Sequence, residues 1–134
     1  MDEMKTTQDV EICINGDPNR VIRFNPNDSF LAEKFYRMQG TFKQKLREFE
    51  VKVKTFSNRT DDNGIPDDIE KRIELVKDLC IFLRGEIDNF LGAGTSQIAF
   101  GDALDITAIE SFVSGIVPYF GKARKEKVNK YARK

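Results

Sequence analysis

The chain has 134 residues, 40% hydrophobic and 33% charged, enough for one domain spanning 1–134 and in keeping with a helix-rich globular fold. It has no histidine and no tryptophan, which removes the commonest general base and a major metal ligand and weakens any enzymatic reading. Charges cancel to zero overall, yet seven bases against Glu126 crowd positions 121–134, so the remainder is acidic and the basic end could contact an acidic partner.

Residues 1–9 are polar and read as a flexible segment without the apolar core of an export signal, so the protein is expected to stay inside the cell that makes it. No apolar run approaches the roughly 18 residues of a membrane span. Val10, Ile12 and Ile14 alternate with Glu11 and Cys13, the period of a half-buried strand. Turn residues Asn15 to Asn19 and a return strand Arg20–Phe24 complete a predicted β-hairpin over 10–24, which must lay its apolar face on helices. Cys13 and Cys80 lie in apolar patterns and are expected to be buried free thiols.

A helical core is predicted over 28–120. Asn27 or Asp28 is placed to cap a first long helix from about Ser29 to Phe56. Its stripe contains Leu31, Phe35, Met38, Phe42, Leu46, Phe49, Val53 and Phe56, with Gly40 as a weak point. The following polar loop, counted from Arg59, sets Asp61, Asn63, Gly64 and Glu70 at calcium-loop positions. Arg59 stands where the first carboxylate should bind, and Pro66 favours a helix start, so the loop reads as a connector.

Pro66 to Leu91 is the clearest helix, about 39 Å long at the standard rise. Its periodic residues include Ile69, Ile73, Val76, Cys80, Leu83, Ile87 and Phe90, with Ile81 and Phe82 widening the buried face. A glycine corner follows, made of Gly92, Gly94, Thr95, Ser96, Phe100, Gly101 and Asp102. The glycines permit positive φ, Thr95 or Ser96 can cap a short helical turn near 95–100, and Ile98 and Phe100 anchor it. Thr107 to Glu110 forms a capping-box pattern ahead of a last amphipathic run of Ile109, Phe112, Val113, Ile116 and Phe120. Pro118 predicts a kink or a break there. Beyond Gly121 the segment reads as a basic helix end or tail. The fold class is thus mainly α with a small hairpin (α+β), built on about three main helices.

The sequence has no phosphate-binding glycine loop, nucleophile elbow, paired-cysteine metal site or dinucleotide fingerprint. No cofactor is expected. Asp102 and Asp105 have no partner base, and capping accounts for them. The basic segment offers only Tyr131 for stacking, and cations at a helix C-terminus are favourable for dipole reasons alone, which argues against nucleic acid as the partner.

Three pieces do form a pattern: Arg23-Phe24-Asn25-Pro26-Asn27-Asp28 ahead of the first helix, Gly94-Thr95-Ser96-Gln97 with Phe100-Gly101-Asp102 at the corner, and Gly115-Ile116-Val117-Pro118-Tyr119-Phe120 followed by Lys122-Ala123-Arg124-Lys125-Glu126-Lys127-Val128. In order and spacing the chain, from about residue 10 to 131, resembles the tail assembly chaperones of long-tailed phages and prophages of low-GC Gram-positive bacteria. The resemblance implies a non-enzymatic subunit that coats the long, aggregation-prone tape measure protein in the host bacterial cytoplasm. It also implies release before the virion is finished, the tail tube protein as a further partner, and in many families a longer frameshifted form. A chaperone of a long coiled client needs exposed apolar surface and repeats along the client, so self-association is expected as well. Phe35, Tyr36, Phe42 and Phe49 on the first helix, with Tyr119 and Phe120 on the last, are the candidate client-binding residues. Two other classes fit the same features: a head–tail joining or tail-completion protein, and a small DNA-binding regulator that uses the basic segment.

Overall fold

The computed structural model describes the backbone of residues 1–132 and the side chains of residues 1–122. Chain order is β1 (Val10–Cys13), a short 3-10 turn (Ile14–Gly16), β2 (Val21–Phe24), α1 (Ser29–Val53), α2 (Ile69–Leu91), α3 (Thr95–Phe100) and α4 (Ile106–Ala132). The molecule is mainly helical, with one antiparallel hairpin whose register pairs Val10 with Phe24 and Ile12 with Ile22. Those four residues share the face that packs on the helices. On the other face Glu11 and Arg23 pair at 3.1 Å in solvent. Asn15 takes φ 52° inside the turn, a conformation asparagine tolerates better than most residues. Cys13 is exposed, against expectation, because its position alternates with Ile12 and falls on the wet face.

Asp28 caps α1 by accepting from the Phe30 amide at 2.9 Å. The helix runs through Gly40 unbroken and stops at Val53, short of Phe56. Thr55 ends it: both its amide and its hydroxyl donate to the Lys52 carbonyl, tightening the last turn. α2 starts at Ile69, three residues beyond Pro66, since Pro66 instead bridges back to Thr60. In the loop between, Asp61 Oδ1 accepts from the Asn63 and Ile65 amides, so this carboxylate shapes the connector. α4 is capped by Asp105, which accepts from the Thr107 and Ala108 amides; the cap thus lies two places ahead of the predicted box at Thr107 to Glu110.

Of the kink or break predicted at Pro118, the break is absent: α4 is helical through it. Pro118 and Ser114 both lie on the solvent side, where water can take the carbonyl that proline leaves unbonded, while Ile116 and Phe120 lock the other side into the core. The basic side chains beyond Lys122 lie outside the described residues; the backbone that carries them is helical to Ala132.

The core is centred on one ring. Phe120 of α4 is fully buried, stacks on Phe35 of α1 at 4.7 Å and on Phe24 of β2 at 5.5 Å, and meets Phe90 of α2 at 5.5 Å. Four elements are thus tied through one side chain. Each such ring pair contributes about 0.5–1.5 kcal/mol beyond the area it buries.

Candidate partner-binding surfaces

The glycine corner is a structural knot whose bonding differs from the sequence expectation. Gly92 takes φ 113° and ψ 152° at the end of α2, a conformation open to glycine alone. Neither Thr95 nor Ser96 caps α3 with its side chain. Instead Asp88, one turn upstream, accepts from the Ser96 amide at 2.7 Å and from its hydroxyl at 3.0 Å. The Thr95 hydroxyl donates back to the Gly92 carbonyl. Thr95 and Ser96 are both buried, so these bonds satisfy polar groups that water cannot reach.

Two arginines finish the corner. Arg20, from the hairpin, donates to the carbonyls of Ile98 and Ala99 at 2.9 and 2.8 Å, closing the C-terminal end of α3. Arg84 donates to the Ala103 carbonyl and to Gln97, and Gln97 in turn donates to Asp102. Phe100 anchors the corner through an edge-on contact with Phe112. Ile98 does not; it is exposed, and Ala99 takes the inward position. Sequence reading missed Arg20, Arg84 and Asp88. The signal for Asp88 was available, as a carboxylate one turn before a helix-ending glycine, next to Ile87 and two places before Phe90.

The client-binding candidates separate into two groups. Phe35, Phe42 and Phe120 are buried and hold the core, so as folded they present nothing to a partner. Their stripes face the interior because α1, α2 and α4 enclose them. Phe49 is half-buried beside Leu79, in a shallow cleft between α1 and α2 that Lys45 and Lys52 border. Tyr36 and Tyr119 remain exposed, at 51% and 39%. Each packs edge-on against a core ring, Tyr36 on Phe35 at 5.5 Å and Tyr119 on Phe24 at 5.7 Å. A continuous aromatic series therefore runs Tyr36–Phe35–Phe120–Phe24–Tyr119, with a solvent-facing phenol at each end.

A second surface is the far end of the α1–α2 pair. From Lys43 to Asp78 no described residue is buried; the sealed positions of these helices are Ala32, Phe35, Met38 and Phe42, and Leu79 onward. Ile69 and Ile73, expected inside, are exposed, as are Val51 and Ile65. Ile81, expected to widen the buried face, is exposed too, and Phe82 is half-buried under Lys45.

This arm is held by a polar latch. Asp68 accepts from the Ser57 amide at 2.8 Å and from Arg72 Nε at 2.7 Å, and Arg72 donates to the Ser57 carbonyl while lying over Phe56. The Ser57 amide, then Arg72, hold the Asp68 carboxyl below its ordinary value of 3.8. Burial pushes the Cys80 thiol up, with Asp105 adding to the effect and Arg84 opposing it. Among the described residues no group of three or more His, Cys, Asp and Glu is placed to hold a metal ion, and no helix is long and apolar enough to cross a membrane. Comparison of the chain with protein-family models, with curated proteins and with solved structures returned no match.

Proposed function

We propose that this chain is a non-enzymatic phage tail assembly chaperone that binds a tape measure protein, keeps it soluble in the cytoplasm of the host bacterium, and is left out of the finished virion. The residue pattern set out in the sequence analysis supports this reading. The structural observation that carries it is the pair of exposed tyrosines at the two ends of the buried aromatic series. A tyrosine rigidly backed by core rings offers large amphipathic contact area at little cost in side-chain entropy, the character of an interface anchor. A coiled client supplies apolar stripes that such anchors engage. Phe35 and Phe24 serve this reading by backing the two tyrosines, with Phe120 stacked between them.

Co-expression with a long coiled-coil-rich protein encoded beside it tests the reading. The expected result is a soluble, stoichiometric complex, and paired Tyr36→Ala and Tyr119→Ala substitutions should leave the chaperone folded while the client precipitates. A client that precipitates with the wild-type chain, together with recovery of this protein in purified particles, would favour a structural head–tail or tail-completion role instead.

A further inference from the structure

Of the eight asparagines in the chain, two precede glycine, Asn15 and Asn63. After the other six, a side chain or the ring of Pro26 shields the next main-chain nitrogen; before glycine that nitrogen is bare. A bare amide nitrogen can attack the asparagine side chain one residue back. The N–Cγ bond forms, the Cγ–Nδ2 bond breaks, and ammonia leaves with the proton that the glycine nitrogen gives up. Water then opens the cyclic imide at either carbonyl. One opening leaves aspartate; the other leaves isoaspartate, with the main chain routed through the β-carbon.

Both pairs are exposed in tight turns, so the chemistry alone does not separate them. Their surroundings do. Asn15 lies at φ 52° and ψ 30°, which sets the Gly16 nitrogen nearly opposite the β-carbon, whereas ring closure needs the two side by side. The turn is closed by main-chain bonds from Ile14 to Arg20 at 2.8 Å, Asp17 to Ile14 at 2.9 Å and Arg20 to Asp17 at 3.0 Å. Arg20 is itself fixed to the α3 carbonyls, and β2 carries Ile22 and Phe24 into the core. Rotating Asn15 therefore means prising the hairpin from the core.

Asn63 stands in the connector of the arm, where no described residue from Lys43 to Asp78 is buried. Its turn hangs on Asp61. The Asp61 carboxylate accepts from the Asn63 and Ile65 amides, its carbonyl accepts from the Gly64 amide at 3.0 Å, and its own amide donates to the Ile65 carbonyl at 2.8 Å. Beyond that turn the connector is fastened to α2 by Asp68 and Arg72, both bonded to Ser57. Opening here disturbs no core side chain, and local opening of that kind needs far less free energy than global unfolding.

We propose that Asn63–Gly64 is a self-modification site, where asparagine converts through a cyclic imide to aspartate and isoaspartate while the core stays folded, and that the Asp68–Arg72 latch sets the rate. The product adds a negative charge to a connector that already holds Asp61, Asp62, Asp67 and Asp68, and isoaspartate lengthens the main chain inside the Asp61–Ile65 turn. A modified chain keeps its core and loses order in the arm. Nothing in this inference depends on the client reading.

Peptide mapping by mass spectrometry tests it, on the full chain kept warm in mildly alkaline buffer with and without denaturant. In denaturant both Asn-Gly peptides should convert at similar rates. In the folded protein conversion should be confined to the Asn63 peptide, with isoaspartate detected by isoaspartyl methyltransferase labelling. Amide exchange over 57–68 should quicken in the aged protein while 79–90 stays protected. Arg72→Ala, nine positions from Asn63, should speed conversion there about tenfold, the size expected for losing a charge-assisted hydrogen bond, and leave Asn15 unchanged. Asn63→Ser should abolish the folded-state conversion. Equal conversion of the two peptides in the folded protein would overturn the site, as would none at Asn63 over a period in which both convert in denaturant. A rate at Asn63 indifferent to Arg72→Ala, with helical circular dichroism intact, would overturn the role of the latch.

Discussion

The two halves of α2 carry one apolar stripe, yet Cys80, Leu83 and Ile87 are sealed from water while Ile69 and Ile73 stand in it. Periodicity is the same in both halves. What differs is the company each half keeps: Arg84, Asp88 and Phe90 of the second half meet α3, the residues ahead of α4, and α4 itself, whereas Asp68 and Arg72 at the start of the helix bond to Ser57 in the loop after α1. A stripe of correct spacing therefore states which side of a helix is apolar, and its burial depends on whether a third element arrives.

Four experiments sharpen this contrast, in order of expected effect. Phe120→Ala removes the ring shared by four elements and should cost about 3–5 kcal/mol in denaturant unfolding, with hairpin and helices melting together. A loss below about 1 kcal/mol would mean that the core is not centred there. Gly92→Ala places a β-carbon on a backbone with φ 113°, where no neighbour lies within 4 Å; the penalty of about 1–3 kcal/mol is then purely conformational. The arm should respond to acid before the core does. The Asp68 carboxyl is held below its ordinary value of 3.8, so the latch contributes fully above that pH and is lost as pH falls through the lowered value. Asp68→Asn should remove this pH dependence from amide exchange in the 57–72 segment and leave exchange at 79–90 unchanged. The smallest effect belongs to Ile73→Ser, within about 0.5 kcal/mol of wild type in dilute protein at high salt, because an exposed side chain has little burial to lose.

Much of the fold was legible in the sequence. The hairpin, the two long helices, the glycine corner and the last helix follow from period-two and period-3.6 patterns with turn residues between them. The misplaced features have particular causes. Phe35, Phe42 and Phe120 look like partner anchors because aromatic enrichment reads the same whether a ring is covered or bare. Ile69 and Ile73 look like core because the absence of a third layer leaves no trace in local spacing. Arg20 reaches Ile98 and Ala99 across 78 and 79 positions of sequence, a distance over which no local pattern carries information. Pro118 does not break α4 because tertiary packing of Ile116 and Phe120 outweighs one missing hydrogen bond.

The position of Phe120 also governs the order in which the chain can acquire its structure during synthesis. α1 and α2 are joined by the connector 54–68 and can pair as soon as both have left the ribosome. The hairpin emerges earlier still, but Phe24 then lacks the ring on which it stacks. Until residue 120 is exposed, Phe24, Phe35 and Phe90 surround a vacancy, and the nascent chain displays the aromatic surface that the finished protein hides. Completion of the core is thus a late event, and a chain stalled before α4 is a sticky intermediate of the kind that draws cellular chaperones to itself.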